Sequence, residues 1–162
     1  MKKIFYLLFV CSFLFTSCEE DVDDPFSPSS SFICKIDGVQ LSDSAPITNI
    51  ITTNPALNGA LEIIATSNLK DGTVMNTVNV TVYDFSSVTE NTTLSLGSSG
   101  SGAVWKGADT YVTSIPNFTG TVSFSKITAN KVSGTFSFEA LNTDNSATKV
   151  VVSEGAFTDV SY

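Results

Sequence analysis

Cys18 is the nucleophile whose surroundings most invite covalent chemistry. It follows the small residues Thr16 and Ser17 at the end of an apolar run, Ile4 to Phe15, that only Tyr6 and Ser12 interrupt. The other two thiols sit differently: Cys11 lies inside the apolar run and Cys34 lies in the strand-like stretch "SFICKID". There a thiol behaves as a small hydrophobe. The sequence has no histidine, which removes Ser-His-Asp and Cys-His catalysis and every imidazole metal site. No Ser-x-x-Lys run stands in a helical pattern, as Ser-Lys catalysis needs. Carboxylates remain, and Asp84, Asp109, Glu139 and Asp159 are available for the pair, about 5 to 9 Å apart, that a glycosidase requires. Acids scattered along strands are mostly solvated surface groups, so the expectation is a protein without catalytic residues.

Non-covalent chemistry has three candidate locations. "LGSSGSGAVWKGADTYV", residues 96–112, sets the only tryptophan beside a Gly/Ser-rich stretch with Tyr111 nearby. Trp105 and Tyr111 are thus candidates for a flat platform under a sugar ring, against the alternative that both are packing residues. The glycines do not form a phosphate cradle, because a strand rather than a helix follows them. In "LNTDNSAT", residues 141–148, Asn142, Asp144 and Ser146 offer oxygen ligands. The stretch lacks the turn glycine and bidentate glutamate of a calcium loop, so a strand-connecting turn is the expectation and no metal or diffusible cofactor is expected. Asp43-Ser44-Ala45 resembles the short sequon of Bacteroidota O-glycosylation, with Ser44 as the acceptor, but is also ordinary turn chemistry ahead of Pro46.

The segment that positions Cys18 reads as an export signal. Met1-Lys2-Lys3 supplies a basic start, and the apolar run is shorter than the roughly 20 residues a spanning helix needs. Phe15-Thr16-Ser17-Cys18 resembles a bacterial lipoprotein box, with Phe15 where Leu is more usual. The resemblance implies cleavage after residue 17 and a diacylglyceryl thioether on Cys18, so that acyl chains are the only attached group. Such anchoring would leave Cys34 without a disulfide partner.

Five acids follow within six positions, Glu19, Glu20, Asp21, Asp23 and Asp24, and then the Pro/Ser-rich "PFSPSSS". This composition cannot bury enough apolar surface to order itself, so residues 18–31 read as lipidated cysteine plus tether. At about 3.3–3.6 Å per residue the tether reaches roughly 40 Å. All 16 acids but only six of the eight lysines lie after Cys18, and the chain has no arginine. Nucleic acid and anionic lipid headgroups are therefore excluded as electrostatic partners, and the membrane is reached through the lipid alone.

Residues 32–162 then read as one domain. Val, Thr, Ile, Phe and Ser alternate in short runs separated by Asn, Asp and Gly, without helical periodicity. The expected fold is all-β, an antiparallel β-sandwich, with a closed antiparallel β-barrel as the alternative. Expected strands are 32–36, 39–41, 47–52, 61–66, 76–85, 93–96, 103–106, 110–114, 120–128, 132–140 and 149–153. Asp-Gly at 37 and at 71 reads as turn chemistry. Pairing Phe124 with Phe136 and Val122 with Phe138 predicts a three-residue loop, Ala129-Asn130-Lys131, with one apolar face and one face of Ser123, Ser125, Ser137 and Glu139. "SEGAFTDVSY" reads as a bulge at Gly155 in one long strand rather than a turn into another.

The lipoprotein box, the acidic tether, "FICKIDGVQL", "KVSGTFSFEAL" and "VVVSEGAFTDVSY" together resemble a family of uncharacterised Bacteroidota lipoproteins whose domain has no assigned activity. In such proteins an acid cluster after the lipidated cysteine resembles the signal for the outer face of the outer membrane; the alternative is a periplasm-facing anchor. The resulting expectation is a non-enzymatic binding domain at the cell surface, with a glycan or an envelope protein as partner. A structural subunit of an envelope complex is the second reading, and a carboxylate-dependent hydrolase the third.

Overall fold

A computed structural model describes residues 31–41, 59–68, 75–113, 119–145 and 147–162. Cys18, the tether up to residue 30, Ser44, the expected strand at 47–52, the Asp-Gly at 71 and Ser146 lie outside the described residues. The fold is all-β. Its strands are β1 (Ser31–Ile36), β2 (Val39–Gln40), β3 (Leu61–Asn68), β4 (Met75–Val82), β5 (Thr93–Leu96), β6 (Gly100–Lys106), β7 (Asp109–Val112), β8 (Gly120–Ile127), β9 (Lys131–Asn142) and β10 (Lys149–Ser161).

They hydrogen-bond in the order β2-β1-β10-β9-β8-β5-β6-β4-β3, while β7 pairs both β6 and β9. The joins β7–β9 and β5–β6 fold the sheet onto itself, so β9, β8, β5, β6 and β7 close a small barrel. The remaining strands extend the sheet beyond the barrel on both sides, and the expected sandwich and the alternative barrel both fit this arrangement. Pairing is antiparallel except at Leu96↔Gly100, where β5 meets β6.

One apolar core fills the space between the layers and draws on β1, β3, β4 and every strand from β5 to β10. A run of rings crosses it: Tyr162, Phe85, Phe124, Phe157, Phe136 and Phe32 succeed one another at centroid distances of 5.1 to 6.3 Å. That spacing is the range in which aromatic rings attract beyond their burial.

Glycine makes room for these rings. A Cβ on Gly134 would lie 2.6 Å from the Phe157 ring, one on Gly102 2.8 Å from the Phe138 ring, and one on Gly120 2.2 Å from Phe138 Cβ. Gly100 and Gly102, ahead of the strand expected at 103–106, are strand residues where neighbouring groups approach closely. The true turn is only Gly97 to Ser99.

The β8–β9 register differs from the expected one by two residues: Val122 faces Phe136, Phe124 faces Gly134, and Gly120 faces Phe138. The shared apolar face survives because the shift is even. Stacking ring against ring in every row would overfill the layer, whereas ring against glycine fits. The loop is three residues long as expected but falls at 128–130, and a bulge between Phe124 and Lys126 restores the alternation.

β10 is one long strand with a bulge between Val152 and Gly155, as expected, and a second between Phe157 and Val160. Glu154 and Asp159 take positive φ at these bulges, 50° and 47°. Asp37 and Gly38, at φ 52° and 82°, form the two-residue turn that joins β1 to β2. β4 stops at Val82 rather than running to Phe85. Asp84 adopts φ 50°, and Ser86 Oγ donates to its carboxylate while Ser87 Oγ donates to its carbonyl, winding Phe85–Ser87 into a 3-10 turn.

Candidate binding groove

Alternation that buries Val122, Phe124, Phe136 and Phe138 must turn their neighbours outward. On the outer face Ser95, Thr121 and Ser137 stand in one transverse row across β5, β8 and β9. Next to this row Glu139 faces Val151 of β10, and Glu139 N–H donates to the Thr119 carbonyl at 3.2 Å. Ser153 completes the far side, paired with Lys35 of β1. These residues, with Gly120, Val151 and the strand positions of Phe138 and Val152, line an open groove of about 430 Å³, the Phe138 and Val152 side chains being buried in the core.

Its rim is fixed from both sides. Asp37, presented by the β1–β2 turn, accepts from Val151 N–H at 3.0 Å and donates its own N–H to the Val151 carbonyl at 2.9 Å. Lys106 Nζ reaches the same carboxylate at 3.4 Å. Lys149 Nζ lies 2.9 Å from Glu139 Oε2, so the groove's single carboxylate is charge-balanced in place.

The five hydroxyls of Ser95, Thr119, Thr121, Ser137 and Ser153 make no side-chain hydrogen bonds among the described residues. Some hydroxyls elsewhere on the sheets do pair: Thr93 Oγ1 with Ser123 Oγ at 2.7 Å, Thr66 Oγ1 with Thr77 Oγ1 at 2.9 Å, and Thr81 Oγ1 donates to Asn79 Oδ1 at 3.0 Å. A row of solvent-facing hydroxyls without protein partners can donate to and accept from a polar ligand.

The expected aromatic platform is not formed. Val104 and Tyr111 are a cross-strand pair facing the core, whereas Trp105 pairs with Thr110 on the outer face. Trp105 is 38% exposed and Tyr111 7%, on opposite sides of the sheet. The two residues are six apart across a two-residue turn, and with Trp105 paired to Thr110 that even separation puts them on opposite faces. Trp105 lies between Thr77 and Thr110 in register and is not among the residues that line the groove.

The candidate carboxylates occupy different elements with different partners. Asp84 accepts from Ser86 Oγ at 3.1 Å, Glu139 pairs with Lys149, Asp159 pairs with Lys126 at 3.3 Å, and Asp109 is exposed at the start of β7. No group of three or more Cys, Asp or Glu side chains suited to a metal occurs among the described residues. Asn142 Oδ1 instead accepts from the N–H groups of Asp144 and Asn145, at 2.8 and 2.9 Å, which is a turn held by its own side chain. Cys34 is buried, and desolvation pushes its thiol up to about 12, far from a reactive thiolate.

The groove hydroxyls were visible in the sequence only as the wet face of alternating strands. Ser137 and Glu139 belong to the hairpin whose polar face was expected. That Ser95 and Ser153 would flank them depends on β5 and β10 being the neighbours, which strand-local patterns do not encode.

Fold and groove define an all-β domain with a shallow, hydroxyl-lined surface. Residues 48–161 match the family model described as "Domain of unknown function (DUF6252)", and the chain belongs to that family. The match takes in β3 to β10. No curated protein and no solved structure matches the chain.

Proposed function

We propose that this chain is a lipid-anchored binding protein of the Bacteroidota cell surface, held in the outer membrane through Cys18 and facing outward, with a non-enzymatic β-domain that captures its ligand in the groove. The observation that carries the binding reading is the row of hydroxyls without protein partners at Ser95, Thr121 and Ser137 on the outer face of three paired strands. Phe15-Thr16-Ser17-Cys18 and the acid run after it support the anchoring and the outward address. Acyl chains at Cys18, each methylene contributing about 0.8 kcal/mol, would hold such a chain despite its excess of acids.

Protease shaving of intact and lysed Bacteroidota cells expressing the full chain, with a periplasmic control, tests the address. Cleavage in intact cells is expected. Protection until lysis would turn the domain toward the periplasm. Labelling with an alkyne fatty acid should mark the wild type and not Cys18→Ser; equal labelling of both would remove the anchor. Capture from surface glycans and envelope extracts tests binding, and recovery of nothing above background would sink that reading.

A further inference from the structure

Three properties of the groove narrow the chemistry of its occupant. Its polar side chains are hydroxyls apart from Glu139, and Lys149 already balances that carboxylate at 2.9 Å. No lysine is among the residues that line the groove, and the chain's formal charge is −8, which disfavours an anionic ligand. β8 lies between β5 and β9, and β9 between β8 and β10, so the backbone groups beneath the groove belong to the ladder. A peptide adding as a strand would need a sheet edge, and the groove lies inside the sheet.

A ligand here meets side-chain hydroxyls that both donate and accept, beside the half-buried Val151. Its volume, about 430 Å³, falls within the roughly 300–1,000 Å³ of small-ligand sites. Resting on the binding reading above, we propose that the groove takes a short, uncharged glycan. Ser95, Thr121 and Ser137 bond its hydroxyls, and a C–H face of the sugar lies on Val151.

The test uses the full chain in detergent against an array of neutral gluco-, manno-, galacto- and xylo-oligosaccharides, with sialylated and sulfated glycans printed alongside, followed by calorimetry on the hits. Thr121→Val and Ser137→Ala remove two hydroxyls at surface positions while keeping the strands; unchanged thermal melting checks the fold. Binding of a neutral glycan is expected, about tenfold weaker in each single variant and unchanged in Trp105→Ala. Neutral-glycan binding that ignores Thr121→Val and Ser137→Ala but falls in Trp105→Ala would overturn the groove assignment while leaving a binding protein. Binding of charged glycans alone, or of none in the array, would overturn the ligand class. In that event the envelope capture above decides separately whether the chain is a binding protein at all.

Discussion

Cys34 illustrates how burial rather than residue type sets reactivity. Its thiol sits on β1 among core residues, and burial raises its ionisation from 9.0 to about 12. We expect no reaction with a thiol reagent until the domain unfolds, and fast labelling in urea; rapid labelling of the native chain would contradict the burial. The linkage sign follows. Between about 9 and about 12 the unfolded thiol has released its proton while the folded one still holds it. Stability is thus fully present below 9.0 and is lost as pH rises through that window, by up to about 1.4 kcal/mol per pH unit. Denaturation of the wild type and Cys34→Ala across this range should show the wild type losing stability more steeply. Parallel curves would mean that the thiol ionises alike in both states.

At the scale of the strand, glycine and bulge positions are where the fold is most exposed to substitution. Gly120→Ala would place a methyl group 2.2 Å from Phe138 Cβ and 2.4 Å from the Ser137 carbonyl oxygen. A lower urea midpoint with unchanged slope is expected, corresponding to about 1–3 kcal/mol of overpacking. Glu154→Val is more discriminating, since valine favours strands in general. At φ 50° it should instead cost about 1–3 kcal/mol, and a stabilised variant would mean that the bulge is not held in this conformation. The same elements show what sequence patterns carry. Alternation revealed the inward faces of β8 and β9, and Asp37-Gly38 revealed a two-residue turn. The two-residue register shift was hidden because it depends on which ring meets which glycine across a strand. Tyr111 looked like a partner of Trp105 for a similar reason: nearness in sequence says nothing of the side of a sheet until the hairpin register is known.

For the whole molecule, the pairing of most interest joins the two ends of the described chain: Ser31 faces Thr158 and Ile36 faces Val152. Contacts this distant in sequence demand loop closure before they are rewarded, so refolding on the millisecond to second scale is expected by stopped flow. Microsecond refolding would point to a local nucleus that forms without β1. The acid run belongs to this scale as well. Replacing Glu19, Glu20, Asp21, Asp23 and Asp24 by their amides should leave fatty-acid labelling intact and abolish shaving in intact cells; undiminished shaving would reduce those charges to a solvated spacer. The β1–β10 pairing also has a mechanical meaning. A pull entering from the residues ahead of Ser31 runs along β1 toward Lys35 and Ile36, which are paired with Ser153 and Val152 at the groove. Under the proposed anchoring and binding, tension between the segment ahead of Ser31 and a ligand in the groove would meet five register pairs distributed along the strand, a layout suited to resisting shear.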